Sequence, residues 1–170
     1  KACAQPFTVS FKNGALGLSH NGNLVNAEAI RDVHLASIRG LGKESYTPEQ
    51  VDAWAHDRDP ADYPIDEPEA TMFVAERGGS VVGFGWLSTE PAADFEGQVD
   101  GKVTAIYVHP ALARQGIGTT LYQALETRAR ELGLDSLGLW ASHNAVPFYE
   151  ANGFSGVMEV SRNLPMEAVL

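Results

Sequence analysis

Val103-Thr-Ala-Ile-Tyr-Val-His-Pro-Ala-Leu-Ala-Arg-Gln-Gly-Ile-Gly-Thr119 runs from a β-branched stretch into a glycine-punctuated helix entry. Val103 to Val108 reads as a short strand, closed by His109-Pro110. From Ile117 to Leu132, apolar Ile117, Leu121, Leu125, Ala129 and Leu132 recur at helical spacing, and Gly133 stands where a helix ends. Between strand and helix lies Arg114-Gln115-Gly116-Ile117-Gly118-Thr119. A helix N-terminus exposes unpaired N–H groups and a positive dipole end, and glycine lets a phosphate approach the backbone. The order strand, glycine loop, helix is thus an anion cradle. A dinucleotide fingerprint needs a third glycine where Leu121 stands, and a nucleotide P-loop needs Gly-Lys-Ser/Thr, which is absent. A glycine-rich helix entry without a ligand is the other reading of the same residues.

Outward from this stretch, Asn26 to Arg39 is expected to be helical, with Ala27, Ile30, Val33, Leu35 and Ile38 at roughly helical spacing. Thr47-Pro48-Glu49 opens a second helix through Val51 and Trp54, with a threonine cap and a proline at its first position. Asp57 to Glu69 is a proline-rich acidic loop. Thr71 to Arg77 and Ser80 to Leu87 flank Gly78-Gly79 and predict a hairpin. Asp94 to Gly101 is a polar loop, Ser136 to Ala141 a strand, Ala145 to Asn152 a short helix and Phe154 to Val160 a strand. Strands and helices in mixed order around a hairpin give an α+β or mixed α/β sheet.

Composition bounds the function. The chain has 170 residues, 44% of them apolar, enough for one domain with a sizeable core. No run approaches the roughly 18–20 apolar residues of a membrane span, and no signal-peptide pattern is expected at the N-terminus. Cys3 is the one cysteine, which excludes an intrachain disulfide and a cysteine metal cluster. A reduced, cytoplasmic protein with no metal is expected. The net charge of −10 disfavours nucleic acid and anionic membranes as partners. Four lysines stand against eight arginines. That balance suits a salt-rich cytoplasm, and equally an ordinary acidic protein.

The segment from Val103 to Leu132 resembles the acyl-CoA-binding motif of the GNAT acetyltransferases. Asn144-Ala-Val-Pro-Phe-Tyr-Glu-Ala-Asn-Gly-Phe154 resembles that family's second hallmark, at the family's spacing with one strand between. The resemblance covers roughly residues 27 to 170. It implies an α/β (α+β) fold: a central mixed, mostly antiparallel sheet, splayed between its fourth and fifth strands, with helices on both faces. Those strands are Val103–Val108 and Ser136–Ala141. Acetyl-CoA would lie in the gap as acyl donor, pantetheine against the backbone of Ile106, Tyr107 and Val108, and pyrophosphate on the amides of Arg114, Gln115, Gly116, Ile117, Gly118 and Thr119. Where the family often has Arg or Gln, three residues before the first glycine, this chain has Ala113, so the phosphates rest on backbone amides or on neighbouring Arg114.

Tyr149 matches the family's general acid. Amine attack on a thioester must expel a thiolate, and a phenol of about 10 stays protonated while a thiol of about 8.5 is already a fair leaving group. Acid help is then expected near the lower end of the ~10²–10⁴ range of positioned acids. Packing of Phe148-Tyr149 against the sheet is the alternative role. Asn144 is open between a helix cap and a ligand contact. No base stands out among Glu90, Asp94, Glu96 and Asp100, and His109 reads as a strand-end residue. An α-amine near 7.7–8 is about a tenth neutral at pH 7 and needs little more than a water path. Tyr46, Trp54, Tyr63, Trp86 and Trp140 are candidates to wall an acceptor pocket, with core packing the default for Trp86 and Trp140.

Ala4-Gln-Pro-Phe-Thr-Val and Leu18-Ser-His-Asn-Gly-Asn-Leu-Val-Asn-Ala-Glu28 resemble a piece of the glutaminase domain of amidophosphoribosyltransferases. Cys3 is not the N-terminal nucleophile that family requires. Residues 1–26 are expected to give the first strand, near Gly14 to Ser19, to a single domain of residues 1–170, without glutaminase activity. The leading expectation is an N-acetyltransferase that joins acetyl-CoA and a primary amine in a ternary complex. A catalytically silent acyl-CoA-binding or sensing module is the alternative. Pairing of two copies into a homodimer stays open.

Overall fold

A computed structural model of the chain describes residues 7–11, 14–20, 27–56, 58–65, 67–90, 99–156 and 163–169. The strands are β1 (Phe7–Phe11), β2 (Gly14–His20), β3 (Ala70–Arg77), β4 (Ser80–Ser88), β5 (Gly101–Val108), β6 (Ser136–Ser142) and β7 (Asn163–Val169). The helices are α1 (Ala27–Leu41), α2 (Pro48–Ala55), α3 (Ile117–Glu131) and α4 (Val146–Ala151). The described strands form one mixed sheet in sequence order, antiparallel throughout except where β5 and β6 run parallel. Among the described residues no helix is long and apolar enough to cross a membrane.

Local chemistry accounts for most of these boundaries. Gly78 and Gly79 both have positive φ, 61° and 79°, which a tight hairpin between β3 and β4 requires. Thr47 and Gln50 cap α2 reciprocally, each side chain accepting the other's backbone N–H. Gly133, at φ 76°, ends α3: its N–H bonds to Arg130 O and that of Leu134 to Ala129 O. This turn corrects the expectation for Leu132, which is 40% exposed because the chain reverses there. Tyr122 joins Ile117, Leu121, Leu125 and Ala129 on the buried face instead.

The sheet carries a core on each face. On one side α3 lays Leu121 and Leu125 against Leu87, Val103, Leu137 and Leu139. On the other, Ile30 and Val33 of α1 meet Met72, Val74, Phe84 and Ala105. One irregularity in β5 divides it between these layers. Trp86 pairs with Ala105 but Leu87 pairs with Val103, so Thr104 is an extra residue. A β-bulge of this kind shifts the alternation of faces. Val103 accordingly packs with α3, whereas Ala105 and Tyr107 pack on the α1 side and Ile106 and Val108 return to the α3 side.

Two expectations change at the termini. The N-terminal segment supplies β1 as well as β2, and β2 pairs with β3. The last strand lies at Asn163–Val169 and not at Phe154–Val160: residues 154–156 carry no extended strand, and 157–160 are outside the described residues. Cys3 and residues 21–26, which carry much of the glutaminase resemblance, are outside them too, as are Asp94 and Glu96.

Candidate active site

β5 and β6 pair only at their beginnings, Gly101 with Leu137 and Lys102 with Gly138. That end is clasped by Asp100. Its Oδ2 accepts from the N–H of Asp135 at 3.0 Å and from the N–H and hydroxyl of Ser136, both at 2.9 Å. These bonds, the Ser136 hydroxyl first, hold the Asp100 carboxyl below its ordinary value. Asp100 is therefore a structural acceptor and not a candidate base. Beyond the clasp the strands part, so the β6-facing backbone groups from Val103 onward have no strand partner among the described residues.

The gap opens into a cavity of about 280 Å³. Ile106, Tyr107 and Val108 form its β5 wall, and Ala113, Arg114, Gly116, Gly118 and Thr119 its glycine-loop wall. Asn144, Ala145, Phe148 and Tyr149 close the side of α4. The side chain of Ile117 packs in the core, 4% exposed. The side chain of Gln115 accepts a hydrogen bond from Arg77 at 3.2 Å. Gly116 is the cap residue of α3 at φ 86°, in the left-handed region where a side chain is strained. Arg114 also has positive φ, 60°, and its guanidinium holds both oxygens of Glu44, at 3.0 and 3.1 Å.

Asn144 does not cap α4: Ala145 occupies that position, and no side chain bonds to the helix start. The Oδ1 of Asn144 is buried with no hydrogen-bond partner. An orphaned acceptor on the wall of a cleft is the kind of group that a ligand N–H satisfies.

A second cavity, about 270 Å³, shares Trp54, Ile106, Tyr107, Ser142, Ala145 and Tyr149 with the first and adds Lys102, Thr104, Ala105 and Trp140. Tyr149 thus stands where the two meet. It is 7% exposed, edge-on to Phe148 and Phe154 with ring centres at 5.0 and 5.7 Å. Burial, with a smaller contribution from Tyr107, pushes its phenol above the ordinary value, so the hydroxyl keeps its proton.

The aromatic candidates divide. Trp54 and Trp140 line the second cavity. Tyr46 sits beside Trp54, and its hydroxyl accepts the N–H of His143 at 2.8 Å, tying the segment after α1 to the turn before α4. Tyr63 belongs to the core, bonded to His34 Nδ1 at 2.9 Å, and Trp86 packs on the same core. His34 went unseen in the sequence. It is 6% exposed, its ring centre 4.0 Å from that of Tyr107 at a tilt of 44°, and burial pushes it down to about 3, which keeps it neutral. Its place on the buried face of α1 was the available signal. His109 accepts the N–H of Ala111 and caps the turn after β5, as a strand-end residue.

Comparison with known proteins agrees with this geometry. The chain is 32% identical over 94 residues to a mycothiol acetyltransferase of Propionibacterium freudenreichii, 54% of this chain and 29% of that protein. It therefore spans about three-tenths of that relative's length. Against the uncharacterized N-acetyltransferase YafP of Escherichia coli it is 25% identical, over 75% of this chain and 73% of that one. A GCN5-related N-acetyltransferase from Rhodopseudomonas palustris superimposes with a TM-score of 0.76 at 25% identity, covering 98% of this chain and 99% of that one. PaiA N-acetyltransferase from Thermoplasma acidophilum, solved in complex with coenzyme A, shares the fold at TM-score 0.69 and 18% identity, over 90% and 99% of the two chains. Residues 36–154 match the Acetyltransferase (GNAT) family, and the chain belongs to that family.

Proposed function

We propose that the chain transfers an acetyl group from acetyl-CoA to the primary amine of a small molecule or peptide, by direct attack within a ternary complex. The observation that carries this reading is the position of Tyr149 at the junction of two cavities, one walled by the glycine loop and the other by Trp54 and Trp140. In it, the donor's pantetheine arm lies along Ile106, Tyr107 and Val108, whose backbone faces an unpaired gap. The buried Oδ1 of Asn144 accepts from the donor. The phosphates sit at the start of α3, where the amides from Arg114 to Thr119 and the helix dipole favour an anion. The acceptor enters from the second cavity. Residues 1–170 act as one domain, with β1 and β2 extending the sheet.

The chemistry asked of the protein is then modest. The amine nitrogen attacks the acetyl carbonyl, and the carbon–sulfur bond breaks. Tyr149 gives its proton to the departing sulfur, while the amine's proton leaves through water. A phenol raised by burial is a weak acid, so its assistance stays in the lower part of the range for positioned acids. Of the carboxylates considered as a base, the two among the described residues, Glu90 and Asp100, line neither cavity.

Thiol release from acetyl-CoA across a panel of amines tests the reading, with wild type beside Tyr149→Phe. Turnover in the wild type, with kcat lowered about ten- to thousandfold in the variant at unchanged CoA affinity, is the expected result. Binding of CoA with no turnover on any amine would favour the silent module. Equal turnover in both proteins would make Tyr149 a packing residue.

A further inference from the structure

We propose that Glu44 sets the donor affinity of the cleft, competing as an internal carboxylate for the guanidinium of Arg114. This rests on the acetyl-CoA reading above and goes beyond it, because it assigns a role to a residue outside both family motifs. Arg114 stands two residues before the cap of α3, at the mouth of the glycine loop, and lines the cleft. Its backbone is left-handed, at φ 60°. Glu44 comes from the far side of the cleft, 70 residues away in sequence, at the end of the 3-10 turn Gly42–Glu44 that follows α1. It lines the same cavity, so the pair bridges the rim where phosphates would enter.

The side chains of Arg114 and Glu44 are 80% and 46% exposed. Water screens a pair that open, so a few-fold preference at most holds it together. A phosphate offers more charge than a carboxylate and three acceptor oxygens, and it presents them bidentately to a guanidinium. The donor therefore displaces Glu44 from Arg114. Until it does, Glu44 neutralises the one cation that the described residues place on the glycine-loop wall of the cleft, in a chain that carries a net charge of −10. Glu44 makes donor binding an exchange of one anion for another, which lowers both the affinity and its salt dependence.

Calorimetric titration of the whole chain with CoA, and with pantetheine as the probe lacking phosphate, tests this at low and high salt. Glu44→Gln should bind CoA about two- to fivefold more tightly at low salt, the gain shrinking as salt is added. Arg114→Gln should bind it more weakly, and adding Glu44→Gln to that variant should change nothing further. Pantetheine should not distinguish any of them. An ordinary surface ion pair would leave CoA affinity unchanged in Glu44→Gln, and that result overturns the proposal, as does a loss of affinity in a variant whose melting temperature is unaltered. A wild-type chain that binds no CoA at all would overturn the acetyl-CoA reading, and this proposal with it. Should Glu44→Gln fold poorly, Glu44→Ala carries the same expectation.

Discussion

The two ends of the β5–β6 pair are built from the same two strands and behave oppositely. At the beginning, Gly101 and Lys102 pair with β6, and Asp100 Oδ2 accepts from the N–H of Asp135 and from the N–H and hydroxyl of Ser136. Toward the end, Ile106 to Val108 face Asn144 and Tyr149 across a cavity, and a buried acceptor has no partner. Backbone hydrogen-bonding groups in a protein interior are nearly always satisfied. The contrast teaches that the closed end supplies stability and the open end spends it, holding polar groups in readiness for a ligand. Variants at the open end should harm function without loosening the fold, and variants at the closed end should do both.

The largest effect is expected from Gly116→Trp at the open end. Gly116 caps α3 at φ 86° and lines the cleft, so a bulky side chain both strains the loop and fills the phosphate approach. CoA affinity should fall at least a hundredfold by calorimetry while circular dichroism still reports the folded sheet. A folded variant with wild-type affinity would erase the distinction between the ends. Next comes Gly101→Val at the closed end. A β-carbon there would lie 2.8 Å from Leu134 Cδ1, 3.1 Å from Leu137 Cδ2 and 3.2 Å from Ser88 O. Overpacking of that kind costs about 1–3 kcal/mol, readable in urea unfolding, and CoA binding should weaken with it. Stability lost with CoA affinity intact would show that the clasped end does not set the width of the gap.

The smallest effect belongs to Asp100→Ala. Its carboxyl is held low in the folded state by the Ser136 hydroxyl and the neighbouring N–H groups. A depressed folded value means stability that is present above the ordinary carboxylate range and lost as pH falls through the folded value. At pH 7 the variant should melt a few degrees below wild type, and the gap should close in acid below about pH 4. A gap that persists there would mean that Asp100 acts through packing.

What the sequence discloses follows the range of the interaction. The Gly78-Gly79 hairpin, the capped start of α2 and the amphipathic α3 each rest on neighbours a few residues apart, and each was legible. So was the glycine loop, through Gly116 and Gly118. β7 was not, because Pro165 and Glu167 interrupt its apolar pattern; among the described strands it lies at the edge, where a proline is tolerated. Of the site, Tyr149 and the β5 wall were visible through motif residues. Asp100 with Ser136, Tyr46 with His143 and Glu44 with Arg114 join residues 36, 97 and 70 positions apart, and nothing local announces such partners.

The extra residue in β5 has a consequence for how this strand tolerates change. Thr104 acts as a phase slip, putting Val103 on one side of the sheet and Ala105 and Tyr107 on the other. Were Thr104 taken into the ladder instead of left as a bulge, the two-residue period would run unbroken and exchange the facings of everything beyond it. Ile106 and Val108 would then stand toward α1 and Tyr107 toward α3, leaving each side chain chosen for the opposite compartment. The wall formed by Ile106, Tyr107 and Val108 is in that sense kept in frame by the bulge at a single exposed residue.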